Sequence, residues 1–238
     1  MDLFARARTA TADQLTAFEL IPRAALELAL IHVPGTIDPL AVAHPWYVLL
    51  EMSSSQNESG IRGLLERLLG SALEDDLVAD GVIAESGAQA RELWRIREAI
   101  VEAQNYSASI KHDVSVPVSR VAEFIMRATV GVTERLPGIR PMAFGHVGDG
   151  NIHFNLTQPE GAEREAYLAR WQEFNDIVHG VVRDLAGSIS AEHGVGRLKC
   201  EEITHYKPPV EIELMHRIKR ALDPDNIMNP GKVVRFRQ

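Results

Sequence analysis

The segment GHVGDGNIHFNL at 145–156 carries two imidazoles on either side of Asp149-Gly150, a dipeptide that accepts the positive φ of a tight hairpin turn. Counting outward from a two-residue turn sets Gly148 against Asn151, Val147 against Ile152 and His146 against His153. Directly opposed residues of neighbouring strands hold their Cβ atoms roughly 4.5–5.5 Å apart on one side of the sheet. Two imidazoles so placed can converge on one divalent metal. Zn²⁺ is the first expectation, Mn²⁺ or Fe²⁺ the next, and each would want at least one carboxylate besides. Asn155, one pleat beyond His153 on the same side, can hydrogen-bond whatever the metal holds. A cross-strand surface pair with no metal fits the same residues, so the hairpin alone leaves both readings open.

A second segment, AEHGVG at 191–196, brings Glu192 and His193 out of a strand into a glycine-flanked turn, where loops display functional groups. Glu192 would complete a His146–His153–Glu192 set and leave His193 for proton transfer; a solvated turn is the plain alternative. No HExxH, GxSxG or Walker A pattern competes, and the single Cys200 excludes cysteine-built zinc or iron–sulfur sites. Arg97 and Lys111 lie on a helix and just before a strand. Alone, Arg97 reads as a long side chain lying along apolar surface, yet a substrate carboxylate would need such a planar guanidinium. His32, His44, His112, His179, His205 and His216 show no informative spacing.

The elements that must position these groups follow from periodicity. Residues 15–20 read as a strand, 24–32 as a helix, 45–52 as a buried strand, 53–60 as a polar loop, 61–75 as a helix and 81–85 as a short strand. The 88–104 stretch is an amphipathic helix with Leu93, Ile96, Ile100 and Val101 on one stripe. Then come a strand at 112–117, a helix opened by Pro117, strands at 141–147 and 151–157, a long helix over 161–185 and a strand at 187–192. The second order is that of the split βαβ unit, and the first third is a shorter version. The expected fold is therefore α+β: an antiparallel sheet with helices on one face, built as two fused ferredoxin-like subdomains. Residues 1–87 form the first; residues 88–238 hold the bridging helix, the second subdomain with the site, and a C-terminal tail. In that tail Asp223-Pro224 stops a helix and Asn229-Pro230-Gly231 forces a turn.

Composition limits the function. With 45% hydrophobic and 24% charged residues over 238, the chain has ordinary globular usage. The net charge of −8 sits in residues 1–90, with 5 Lys/Arg against 13 Asp/Glu, whereas residues 91–238 hold 20 of each. Nothing offers the clustered cations that displace counterions from nucleic-acid phosphates. No run is long and apolar enough to span a bilayer and no signal-peptide core opens the chain, so a cytoplasmic location is expected.

These motifs together resemble the flavin-dependent 2-hydroxyacid dehydrogenases, the family of D-2-hydroxyglutarate dehydrogenase, D-lactate dehydrogenase and the flavin subunit of glycolate oxidase, and specifically their C-terminal half. The resemblance rests on WYVLLEM at 46–52, LWRIREAI at 93–100, KHDVSVPVSR at 111–120, the hairpin, SISAEHGVGRLK at 188–199 and LDPDNIMNPGK at 222–232. It implies that His146, His153 and Glu192 hold a divalent metal and that His193 takes the hydroxyl proton of a small 2-hydroxy acid. It further implies that Arg97, Lys111 and Asn155 contact substrate, and that Asn229 and Lys232 lie near FAD. Among family members the likeness is greatest to D-2-hydroxyglutarate dehydrogenases, which carry a threonine one helical turn after the arginine; Val101 stands there instead. The family's glycine-rich FAD-binding domain is not in these residues, so the chain is expected to be a fragment that acts with such a domain in cis or trans, and its uncovered face to favour self-association, a homodimer included. A stand-alone metal- or carboxylate-binding module and a metal-dependent hydrolase are the competing readings.

Overall fold

A computed structural model describes residues 1–11, 14–54 and 58–235, the side chains of 58 and 59 excepted. Helix α1 (Asp2–Thr11) precedes strand β1 (Leu15–Pro22), helix α2 (Arg23–His32), strand β2 (Trp46–Met52), helix α3 (Glu58–Glu74) and helix α4 (Gly87–Ala103). Short strands β3 (Ser109–Ile110) and β4 (Asp113–Ser115) lead into helix α5 (Val121–Arg135), and β5 (Arg140–His146) and β6 (Asn151–Thr157) form the hairpin. Helices α6 (Arg164–Leu168), α7 (Trp171–Asp184), α8 (Ile203–Tyr206) and α9 (Pro209–Leu222) complete the chain.

One antiparallel sheet joins both halves, in the order β2-β1-β5-β6-β3, with β4 also on β6. Alternation along the strands divides the core. Met142 and Phe144 of β5 meet Ile21 and the Ile96/Ile100 stripe of α4 on one face, while Ala143, Ile152, Phe154 and Leu156 meet Phe124 of α5 and Phe174 and Val178 of α7 on the other. A third cluster packs Phe4 and Ala7 of α1 on Phe18 and Val147. The α+β antiparallel class is as expected, and the helices cover both faces of the sheet rather than one.

Several local expectations change for physical reasons. Residues 81–85 form no strand, so the first third gives the sheet two strands, β1 and β2, not three. The 187–192 strand shrinks to a single bridge, Ser115 with Ser188. The long helix over 161–185 breaks into α6 and α7, with Tyr167 tied to the Leu156 carbonyl (2.6 Å) at the end of the first and Phe174 and Val178 of the second in the core. Part of the polar loop over 53–60 lies outside the described residues, and α3 begins within it at Glu58. Helix α1 carries no strong sequence signal and forms because Phe4, Ala7 and Thr11 have a surface to cover.

Helix α4 falls where its periodicity places it, with Ser86 as N-cap accepting from the Gln89 amide (3.3 Å). Ser86→Ala is expected to lower stability by about 1 kcal/mol, read as a fall in urea midpoint with an unchanged slope; an unmoved midpoint would show that the cap is replaced by water. Among the described residues no helix is long and apolar enough to cross a membrane.

Candidate metal and substrate site

The hairpin register differs from the sequence expectation. Phe144, not His146, stands opposite His153, and His146 instead pairs with Glu19 of β1. The connection is a four-residue turn over 147–150 with Gly150 at φ +77°, because Val147 leaves the sheet to be buried against Phe4 and Phe18. The two histidines remain on one face all the same, since His146 lies two residues beyond Phe144. Gly145 permits the tight pairing there: its φ is +139°, and a Cβ would come 2.8 Å from the Asn151 carbonyl oxygen.

Their rings stand 6.4 Å apart by centroids. His146 Nε2 lies 3.1 Å from one Glu192 carboxylate oxygen, and His153 Nε2 lies 3.7 Å from the other. Ligand atoms of His146, His153 and Glu192 all fall within 4.8 Å of one another; so do those of Asp113, His153 and His193. The Nδ1 side of each hairpin imidazole meets a buried carboxylate. Glu19 hydrogen-bonds His146 Nδ1 directly, and Asp113 Oδ1 lies 3.8 Å from His153 Nδ1. Burial and then the Arg97 charge hold the His153 pKa below the usual imidazole range, against the pull of Asp113 and Glu192. The neutral ring with a free nitrogen lone pair is therefore favoured.

The AEHGVG turn is held from beneath. Asp113 Oδ2 accepts from the backbone amides of Ala191 (3.2 Å), Glu192 (2.9 Å) and His193 (2.8 Å). Burial raises the Asp113 pKa, yet these three donors and the neighbouring His193 outweigh it and hold the carboxyl below its ordinary range. The His193 ring is largely exposed and stacks on His153 at 5.7 Å and 24°.

Arg97 is buried on α4, donates from Nε to Glu19 (2.8 Å) and lies over the Phe144 ring at 4.9 Å. Among the described residues its terminal Nη groups have no partner. Lys111 is exposed; the register on either side, Ile110 with Leu156 and Asp113 with His153, sets it across from Asn155. Asn155 shares the face of His153, but its amide is engaged, donating to Gln104 (2.7 Å) and accepting from the His112 backbone (3.2 Å). Asn229 and Lys232 are apart from this cluster. They hydrogen-bond each other (3.0 Å) and line a cavity of about 540 Å³ whose wall includes Gly196, at the end of the AEHGVG turn. Cys200 is a free, buried thiol.

Sequence reasoning missed Glu19 and Asp113. The signal was a carboxylate at an inward position of an apolar strand, at 19 between Ala17 and Ile21, and at 113 beginning a β-branched run. His112, given no role, is fully buried behind the sheet against His179. Burial, then that neighbouring imidazole, pushes its pKa down to about 3, so it stays neutral and binds the Phe154 carbonyl.

Residues 1–233 match the family model described as FAD linked oxidases, C-terminal domain. The chain belongs to that family. It is 36% identical over 240 residues to a D-2-hydroxyglutarate dehydrogenase of Arabidopsis thaliana, covering 98% of this chain and 40% of that protein. It is also 36% identical over 222 residues to a D-2-hydroxyglutarate dehydrogenase of Xanthomonas citri pv. viticola, covering 92% of this chain and 46% of the relative. The chain thus spans less than half the length of these curated relatives. A crystal structure of p-cresol methylhydroxylase with substrate bound shares the fold, with a TM-score of 0.64 at 14% identity over 98% of this chain and 50% of that one.

Proposed function

We propose that this chain is the metal- and substrate-holding part of a flavoprotein that oxidises a D-2-hydroxy acid, such as 2-hydroxyglutarate, lactate or glycolate, to the 2-oxo acid, FAD being bound mainly by a separate FAD-binding domain in cis or trans. The carrying observation is that both hairpin imidazoles turn Nε2 toward Glu192 while their Nδ1 sides face buried carboxylates. That donor set, two nitrogens and one carboxylate, suits Zn²⁺, Mn²⁺ or Fe²⁺. The alternative trio would rely on Asp113 Oδ1 alone, since Oδ2 is taken by three backbone amides, and would take His193 away from proton transfer.

A metal held by His146, His153 and Glu192 would acidify the substrate hydroxyl, and FAD would accept the hydride from C2. The chain's own groups do the rest. His193, exposed and stacked beside His153, accepts the hydroxyl proton. The free Nη edge of Arg97 holds the carboxylate and so orients C2, and Lys111, set across from Asn155 between β3 and β4, supplies a second cation for it. Asn155, whose amide is engaged on both sides, backs β4 and lends substrate a contact only if one of those bonds gives way. Asn229 and Lys232 approach the flavin from the tail, across the cavity that ends the AEHGVG turn.

The test is reconstitution. The chain combined with a separately produced FAD-binding domain of this family should reduce an electron-accepting dye with a D-2-hydroxy acid and not with its L-enantiomer. Stable association without reduction by D-2-hydroxyglutarate, D-lactate or glycolate would overturn the assignment.

A further inference from the structure

Glu19 is a carboxylate at a sheet position where alternation calls for an apolar residue, with a side chain only 2% exposed. Taking a carboxylate out of water is expensive unless both oxygens find strong donors. Here one oxygen accepts from Arg97 Nε at 2.8 Å and the other from His146 Nδ1. The three residues come from three elements, α4, β1 and β5, so no local sequence preference assembles them.

Each bond leaves the functional edge of its partner facing outward. A proton on Nδ1 of His146 leaves the Nε2 lone pair on the side of Glu192, 3.1 Å away. Use of Nε by Glu19 leaves the two Nη groups of Arg97 free for a planar carboxylate, while Phe144 supports the guanidinium from its flat side at 4.9 Å. We infer that Glu19 is a positioning residue that fixes the tautomer of His146 and the orientation of Arg97 together, setting the spacing between the edge of His146 that would hold a metal and the edge of Arg97 that would receive the substrate carboxylate. This rests on the metal and substrate reading above.

The test uses the whole chain, uniformly labelled with ¹⁵N, and Co²⁺ as the metal probe. At pH 8.5 without metal, and in Glu192→Ala so that no carboxylate faces Nε2, long-range ¹H–¹⁵N spectra should show His146 protonated at Nδ1 and bare at Nε2. Glu19→Gln offers one acceptor and one donor, so it cannot accept from both partners; the proton of His146 should move to Nε2. Co²⁺ affinity should then fall about 10- to 100-fold, the usual loss when a ligand histidine loses its hydrogen-bonded support, with cooperative unfolding retained. Wild-type binding that is lost in His146→Ala but unchanged in Glu19→Gln would overturn the role of Glu19 and leave the metal site standing. No Co²⁺ binding by the wild type would overturn the metal reading, and Glu19's role with it. If Glu19→Gln fails to fold, the tautomer in Glu192→Ala decides: Nε2–H contradicts the inference and Nδ1–H supports it.

Discussion

Glu192→Ala is expected to yield a folded chain that no longer retains a divalent metal, and to lower turnover of the reconstituted flavoprotein by at least about 10²–10³-fold, the loss typical of removing one electrostatic support from a reacting oxygen. Folding survives because Glu192 is nearly half exposed and its backbone, not its side chain, is what Asp113 holds. His193→Ala gives the contrasting result. It should keep the metal, since the His146–His153–Glu192 set is intact, while turnover falls about 10²–10⁴-fold through loss of the proton acceptor. Metal content and turnover measured on both variants separate the two roles. Equal metal retention in wild type and Glu192→Ala would contradict the ligand assignment, and full turnover in His193→Ala would contradict its role as base.

Asp113→Ala should be the most destabilising change near the site, by about 3 kcal/mol, because it strands three backbone amides that now share a charged acceptor. The AEHGVG turn would lose its anchor, so metal affinity should fall along with stability. The pH dependence has a definite sign. A carboxyl held below its unfolded pKa contributes fully above that value, roughly 4, and the contribution disappears as pH falls through the folded pKa. Urea melts should therefore separate wild type and Asp113→Ala widely at pH 7 and bring them together as pH drops below about 4. A constant gap across that range would mean that Asp113 acts through packing and not through its charge.

The strands and helices around the site were legible because each has a strong period: α4, α5, β5 and β6 all lie within a few residues of where alternation and helical spacing put them. The hairpin register was not. Asp149-Gly150 suits a two-residue turn, but burial of Val147 under α1 lengthens the connection and shifts His146 onto β1. A turn signal is local, whereas Val147 answers to a helix more than a hundred residues away in the chain. The convergence of His146 and His153 survives this shift because moving the pairing by two residues preserves the face. Glu19 and Asp113 escaped notice for a related reason. A single carboxylate in a strand says only that something must compensate it, and the compensating donors lie at Arg97 and His146 for one and at 191–193 for the other. Lone strand carboxylates thus mark places where a distant element docks.

The most direct measurement is the metal content of the purified chain, never exposed to chelator, by plasma mass spectrometry. Close to one equivalent of a transition metal is expected in the wild type, lost in both His146→Ala and Glu192→Ala. A folded wild type carrying none, and taking up none when Zn²⁺, Mn²⁺ or Fe²⁺ is supplied, would contradict the metal assignment.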